Sequence, residues 1–113
     1  TQPVGWFKEL LSLALKISDH LGLLELGANP LFRSSVNQCA GSFDSCFSKE
    51  NANAIWGRAS NPALKEFSTG GSCGGEAGLI ATFSSGIGFG VDLFGDARYP
   101  ASCCGICAFK PTS

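Results

Sequence analysis

The sequence has few charges, one histidine and no methionine. Only 15% of its 113 residues are Asp, Glu, Lys or Arg, and nine acidic residues against eight basic ones give a formal net charge of −1. Lys and Arg never form a run. The basic patch that nucleic-acid-binding proteins present to phosphate groups is therefore not predicted, and we do not expect nucleic acid as a partner.

Long apolar runs are missing as well. The most apolar stretch, residues 6–26, is interrupted by six Lys, Glu, Asp or His side chains, too many for a segment that crosses a bilayer. The chain has neither an initiator methionine nor a basic and then apolar leader with a small-residue cleavage site. We expect an intracellular protein, cytoplasmic or membrane-associated, of which this sequence is one part.

Apolar residues and glycine are abundant instead. Hydrophobic residues make up 44% of the chain, and glycine occupies 15 positions. This composition is typical of a buried, loop-rich core rather than of a disordered tail. The length fits a single small domain or a piece of a larger one.

Six cysteines lie at positions 39, 46, 73, 103, 104 and 107. They would suit a disulfide framework, so a small disulfide-stapled secreted protein is one alternative. Without a leader sequence, reduced thiols are favoured. Cys104 and Cys107 have the spacing of a redox or zinc pair, but no second ligand pair accompanies them, and we predict neither a metal nor another cofactor.

Local patterns in the first two thirds of the chain predict a helix followed by loops. Apolar residues at three- and four-residue spacing predict an amphipathic helix over 6–26 that stops at Gly27. The sequence Asn29-Pro30 predicts a turn into a short buried strand at 31–32. Residues 34–71 are rich in Ser, Asn and Gly and are predicted to form mostly loop, with at most one short helix.

The last third is predicted to alternate helices and strands, which gives an α/β fold class. A helix is predicted over 76–83, with a carboxylate in its first turn, and a short one over 100–104. Alternation of apolar residues with small ones predicts a strand over 87–93 whose glycine face another element approaches closely. A final strand is predicted over 106–109.

The chemistry is expected at the glycine-rich segment GGSCGG, residues 70–75, which precedes a predicted helix. Such loops direct backbone N–H groups at a developing oxyanion. Residues 70–74 also imitate the G-x-S-x-G elbow of α/β-hydrolases, but there the histidine follows the serine, and here the only histidine, His20, precedes Ser72. A hydrolase of this sequence would need a serine–lysine arrangement.

Three ordered blocks carry a resemblance to a known family. They are GGSCGGEAGLIA at 70–81, GVDLFGDARYPA at 90–101 and CGICAFKPT at 104–112. Together they resemble the signature of amidase-signature hydrolases, most closely of fatty acid amide hydrolases. The resemblance covers residues 22–113, with 70–112 as the signature core, and identifies residues 1–113 as a partial domain of that family.

The resemblance implies an α/β fragment of the amidase-signature fold, in which a mixed twisted sheet is flanked by helices. In that family a serine nucleophile, a bridging serine reached through a cis peptide bond and a lysine base form the triad. The bridging serine corresponds to Ser72, so the cis bond is expected at Gly71–Ser72. The nucleophile position is occupied by Asp96, and the lysine belongs to a segment upstream of Thr1.

The resemblance also assigns the surroundings of this site. The loop that offers oxyanion-binding amides corresponds to Leu93, Phe94 and Gly95, where the bulk of Phe94 in place of a glycine is expected to close the oxyanion hole. Arg98 is expected to bind the carboxylate of Glu76 or of Asp92. The residues implied as structural support are Gly70, Gly71, Glu76, Asp92 and Arg98.

The implied function is amide-bond hydrolysis by descent, with a small-molecule amide, such as a fatty acyl amide, as the expected partner. Substitution at the nucleophile position, the bulky loop residue and the absent lysine predict a catalytically deficient pseudoenzyme. A cysteine hydrolase that uses Cys73 is disfavoured. A non-catalytic acyl-amide-binding protein is a further alternative, and a membrane surface stays open as a partner.

Overall fold

The computed structural model describes residues 24–27, 29–31, 33–37 and 50–112. The chain divides into two compact units, Thr1–Arg33 and Ser34–Ser113. None of the helices in the described ranges is long and apolar enough to span a membrane.

Only the end of the helix predicted over 6–26 belongs to the described residues. Leu24 and Glu25 are helical, and the N–H of Gly27 donates to the carbonyl of Leu24 at 3.0 Å. Gly27 has a φ of +82°, which a residue with a side chain rarely adopts. The predicted stop is confirmed. The strand predicted at 31–32 is wrong at Leu31, which is 69% exposed and irregular, and its other residue lies outside the described ranges.

The second unit contains two short strands that form a hairpin. Strands β1 (Ala52–Asn53) and β2 (Gly57–Arg58) pair antiparallel, with Ala52 opposite Arg58. The Asn53 side-chain carbonyl accepts the N–H groups of Ile55 and Trp56 at 3.0 and 2.7 Å, which closes the turn. The described part of 34–71 is otherwise irregular and contains no helix, so mostly loop was the correct prediction.

Both helices predicted in the last third are present, and each begins two residues early. Helix α1 (Gly74–Ala81) has the expected acidic residue, Glu76, in its first turn. Helix α2 (Arg98–Cys104) ends at Gly105, which has a φ of +70°. The helices pack against each other, and the buried apolar residues of the described chain include Ala77 on α1 and both Pro100 and Ala101 on α2. Small side chains at these positions allow a close approach.

The strands predicted over 87–93 and 106–109 are wrong. Both segments are irregular, because a strand requires a hydrogen-bonded neighbour and neither segment has one among the described residues. The prediction for the glycine face is nevertheless confirmed. A Cβ at Gly88 would collide with the Glu76 carboxylate, and one at Gly90 would lie 2.6 Å from the Cys73 Sγ. The described chain is therefore consistent with a fragment of an α/β domain.

Candidate functional site

The glycine-rich loop at 70–75 is shaped by contacts that exclude side chains. The Gly71–Ser72 peptide bond is cis, as the resemblance predicted. A Cβ at Gly70 would lie 3.0 Å from the Tyr99 ring and 3.3 Å from the Cys103 Sγ, and one at Gly71 would collide with the backbone carbonyl of Glu50. Gly70 also has a φ of +77°. Only glycine fits these two positions without displacement of a neighbour.

Ser72 and Cys73 follow the cis bond and lead into α1, and both are half-buried. The Cys73 thiol donates to the carbonyl of Val91 at 3.4 Å. Burial raises the pKa of this thiol, and the negative charges of Asp96 and Asp92 raise it further, although bonds with Val91 and Ser72 act in the opposite direction. A thiol with a raised pKa is a poor nucleophile. The geometry therefore gives no support to a cysteine hydrolase.

The loop between residues 92 and 98 is organised around the Asp92 carboxylate, which is 5% exposed. Its Oδ1 accepts the N–H of Gly95 at 2.7 Å, and its Oδ2 accepts those of Ala97 and Arg98 at 3.3 and 3.1 Å. The Arg98 guanidinium adds a bidentate pair, with Nε 2.9 Å from Oδ2 and Nη2 3.0 Å from Oδ1. Of the two carboxylates expected for Arg98, the structure selects Asp92.

This pairing sets the protonation of Asp92. The Arg98 guanidinium holds the pKa of the Asp92 carboxyl well below its usual range, and the three backbone N–H groups lower it further against the opposing effect of burial. The same contact raises the pKa of Arg98. Asp92 is thus a fixed negative charge, and all its hydrogen bonds point at the loop that follows it.

Asp96, which the sequence resemblance predicted to stand at the nucleophile position, is 1% exposed. Its Oδ2 accepts the N–H groups of Leu93 and Phe94, each at 3.2 Å. Its backbone carbonyl accepts the N–H of Cys73 at 3.0 Å, which joins this loop to the start of α1. The other carboxylate oxygen, Oδ1, has no hydrogen-bond partner among the described residues.

The Phe94 side chain does not occupy the interior of the loop. Phe94 is 73% exposed and Leu93 is 69% exposed, so both side chains project outward. The sequence attributed the closing of the oxyanion hole to the bulk of Phe94. In the structure the N–H groups of these two residues are instead occupied by the Asp96 carboxylate.

Sequence reasoning missed three buried polar residues that hold the site in place. The Asn61 Nδ2 donates to the carbonyl of Cys103 at 2.8 Å, and the Asn51 Nδ2 donates to that of Ser35 at 2.9 Å. Thr69, which is 1% exposed, packs where a Cβ on Gly74 would lie. Their partners are 42 and 16 residues away in the sequence for Asn61 and Asn51, so no local pattern revealed them.

The described cysteines are free thiols. Cys104 is half-buried, and its thiol donates to the carbonyl of Thr69 at 3.8 Å, while Cys107 is exposed. Burial, followed by the neighbouring Cys103, raises the pKa of the Cys104 thiol. Cys104 thus packs against the loop that precedes Gly70, and Cys104 and Cys107 do not form a disulfide with each other.

Comparison with known proteins gives one consistent result. The Amidase family profile matches residues 23–113. The chain is 42% identical over 86 residues to Fatty-acid amide hydrolase 1 of Sus scrofa, a match that covers 76% of this chain and 14% of that protein. It is 38% identical over 109 residues to the Vitamin D3 hydroxylase-associated protein of Gallus gallus, covering 96% and 21% of the two chains.

A third relative comes from a fungus. The chain is 36% identical over 91 residues to Amidase 1 of Gibberella moniliformis, covering 80% of this chain and 16% of that protein. No solved structure matches the chain significantly. The chain thus spans between 14% and 21% of the length of these three relatives. The match to the family profile extends over most of its residues, including the cis bond and both loops of the site, and the chain belongs to the amidase family.

Proposed function

We propose that this chain is a fatty acid amide hydrolase-like amidase that does not hydrolyse amides in the form described. The observation that carries the proposal is the buried carboxylate of Asp96 at the nucleophile position. An acyl-transfer nucleophile of this family is a serine oxygen that loses its proton during attack. A carboxylate is a much weaker base than an alkoxide, and attack through it would leave a reactive anhydride rather than a stable acyl-enzyme.

The second support for the proposal concerns the proton acceptor that Ser72 would need, and it comes from the described residues alone. Among the described residues, no lysine or histidine side chain forms a hydrogen bond with Ser72 or Asp96. Ser72 is proposed to hold the bridging position, where it would relay a proton between a nucleophile and a lysine. Within residues 24–27, 29–31, 33–37 and 50–112, Ser72 therefore has no lysine partner with which to relay a proton.

The substrate class and location belong to the same proposal. Similarity to Fatty-acid amide hydrolase 1 supports a small-molecule amide with a fatty acyl chain as the ancestral ligand. An intracellular location, with contact to a membrane surface, fits a ligand of that kind. The mixed twisted sheet flanked by helices is proposed as the setting in which the described loops and helices pack.

The test compares the unmodified chain with Asp96→Ser. Each is incubated with a long-chain acyl amide and, separately, with a fluorophosphonate that reacts with activated serines. We expect neither turnover nor labelling of the unmodified chain. Labelling that appears only in Asp96→Ser would show that a hydroxyl at this position is sufficient, whereas silence in both would place the remaining defect at the missing base.

Two controls make the result specific. Asp96→Ala lacks both the carboxylate and the hydroxyl, so labelling seen in Asp96→Ser but not in Asp96→Ala belongs to the introduced oxygen. Ser72→Ala in the unmodified background reports any reaction at the bridging serine itself. Hydrolysis of the amide by the unmodified chain, above the rate of the Ser72→Ala variant, would contradict the proposal.

A further inference from the structure

We propose that the backbone N–H groups of Leu93 and Phe94 form an anion-binding pair that Asp96 fills from within the chain. The ligand that this pair would accept is a single negatively charged oxygen, such as one from a carboxylate or a phosphonate. The inference rests on the proposed function, because it concerns the loop proposed to bind the oxyanion. It adds that the chain carries its own occupant for that site.

The geometry at Asp96 supports this directly. Two adjacent N–H groups converge on one oxygen, Oδ2, at the same distance of 3.2 Å. Two donors aimed at one oxygen are the arrangement that stabilises an oxyanion in acyl transfer. The Asp96 carboxylate therefore occupies the place where the negative oxygen of a ligand would be held.

The other backbone N–H groups of the loop have a different acceptor from this pair. The N–H groups of Gly95, Ala97 and Arg98 donate to Asp92. Asp92 is also fixed by the bidentate ion pair with Arg98, so an external anion would have to break five hydrogen bonds to replace it. The Asp96 side chain, in contrast, accepts two hydrogen bonds.

The second oxygen of Asp96 is consistent with a weaker hold. Oδ1 is buried and has no hydrogen-bond partner in the described part of the chain. A buried acceptor without a donor is unfavourable. Removal of the carboxylate eliminates this unpaired atom at the same time as it frees the two amides, so the open loop need not be less stable by the full value of both bonds.

The Asp96 carboxylate fills the space in front of the pair. Leu93 and Phe94 are exposed, whereas Asp96, to which their N–H groups donate, is 1% exposed. Truncation of Asp96 to alanine leaves a space of the size of a carboxylate next to both N–H groups. A small anion such as acetate or methylphosphonate has the charge and the dimensions to enter it.

The experiment is an NMR titration of the complete chain, labelled with ¹⁵N, with sodium acetate and separately with methylphosphonate. In Asp96→Ala we expect saturable shifts of the Leu93 and Phe94 amide signals. The unmodified chain should need at least about tenfold more anion for the same shift, because an internal carboxylate competes at a high effective concentration. The amides of Gly95, Ala97 and Arg98 are internal controls and should not move in either protein.

Two results would overturn the proposal. One is an equal response of Leu93 and Phe94 in the unmodified chain and in Asp96→Ala. The other is no response of these amides in an Asp96→Ala variant whose Asp92-bound amides keep their positions and thereby report an intact loop.

If Asp96→Ala does not fold, Asp96→Asn decides instead. This variant keeps the shape and one acceptor oxygen but removes the charge, so the Leu93 and Phe94 amide protons should shift upfield without any added ligand. If the Leu93 and Phe94 amide signals did not shift, their hydrogen bonds with the Asp96 carboxylate, and with them the proposal, would be refuted. Since every readout is binding or hydrogen bonding, failure here is separate from amide turnover by the unmodified chain, which would refute the proposed function.

Discussion

Two aspartates of one loop, Asp92 and Asp96, have the same side chain and different roles. Asp92 is bound by a guanidinium and three backbone N–H groups, so its charge is compensated and its position is fixed. Asp96 is more deeply buried, lacks a cation among the described residues, and uses only one of its two oxygens. Asp92 therefore stabilises the loop, whereas the Asp96 carboxylate fills the space in front of the Leu93 and Phe94 amides.

Asp92→Asn should destabilise the chain because the asparagine side chain has one acceptor oxygen, whereas the carboxylate accepts hydrogen bonds through both of its oxygens. The variant loses the ion pair with Arg98 and leaves at least one backbone N–H group of the loop without its acceptor. We expect the free energy of unfolding to fall by about 1–3 kcal/mol, the usual range for a hydrogen bond to a charged group that is left unmade. Urea denaturation followed by circular dichroism measures this.

The matched control is Glu66→Gln, which removes a carboxylate that is exposed. Its expected change is close to zero, because exposed charges contribute little. Arg98→Ala should lie between the two, since Asp92 keeps its three backbone donors. Equal losses for Asp92→Asn and Glu66→Gln would mean that the Asp92 cluster does not stabilise the loop.

The lowered pKa of Asp92 also predicts how stability depends on pH. In the unfolded chain an aspartate has a pKa of about 3.9. Because the pKa of Asp92 is depressed by Arg98 in the folded chain, its contribution is present above that value and is lost as the pH falls toward the folded pKa. We expect stability to decline below about pH 4, with a shallower decline in Asp92→Asn.

Thermal unfolding at pH 2.5, 4 and 7 would check this, with Glu66→Gln again as the control. The difference in melting temperature between the unmodified chain and Asp92→Asn should shrink as the pH falls. A difference that stays constant across the three values would show that the ion pair is not the source of the acid sensitivity.

At the scale of elements, α1 is positioned by glycines rather than by apolar side chains. Its buried residues are Gly74 and Ala77, and it closely approaches Asn51, which precedes β1, and Thr69, which follows β2. Because this helix buries little apolar surface, its position is set by close packing of its backbone against neighbouring residues. The sequence predicted a helix after the GGSCGG segment, and the structure adds the close packing that positions it.

Gly74→Ala and Gly78→Ala separate packing from helix propensity. Alanine in a helix interior is favoured over glycine by about 1 kcal/mol. At Gly78 a Cβ would meet Thr69 Cγ2 at 3.6 Å, which is an ordinary contact, so this variant should be as stable or up to about 1 kcal/mol more stable. At Gly74 a Cβ would collide with the Thr69 hydroxyl oxygen and lie 2.8 Å from the Asn51 Cβ, so that variant should lose stability.

The two urea midpoints should therefore move in opposite directions. The comparison is internally matched because both changes add one methyl group to the same helix. A Gly74→Ala variant that is as stable as Gly78→Ala would mean that α1 can move away from Thr69 without cost, and the close approach would not be a requirement of the fold.

At the scale of the whole molecule, large apolar side chains are widely exposed. Sixteen of them exceed 40% exposure in the described residues, among them Phe83 at 95% and Phe109 at 88%. The buried apolar side chains of the same ranges are small and include two alanines and Pro100. Exposed apolar surface on this scale is typical of an interface with other protein.

We therefore expect the isolated chain to associate with itself. The mean mass in sedimentation equilibrium should rise with protein concentration, and the chain should bind a dye that fluoresces on apolar surfaces. Phe83→Ser and Phe109→Ser together should reduce dye binding without lowering the free energy of unfolding, because neither side chain is buried. A monomer at all concentrations that binds no dye would contradict the expectation.

Much of the local structure was predictable from the sequence because its causes are local. The two helices of the last third, the stop at Gly27 and the close approaches at Gly88 and Gly90 follow from spacing and from the absence of side chains. The three signature blocks indicated the family and, through it, the cis bond at Gly71–Ser72. The strands failed because alternation indicates two faces of an extended segment but cannot supply the neighbour that makes it a strand.

The sequence by itself determined which residues occupy the site, and the tertiary structure decided what each of them contacts. Arg98 had two candidate carboxylates, and only the folding of the 92–98 loop brought Asp92 rather than Glu76 against its guanidinium. The resemblance singled out Asp96 as a predicted substitution, but the hydrogen bonds of its carboxylate with the amides of Leu93 and Phe94 depend on backbone directions. Those directions are set by hydrogen bonds across the loop and by packing with α1, which residue order does not specify.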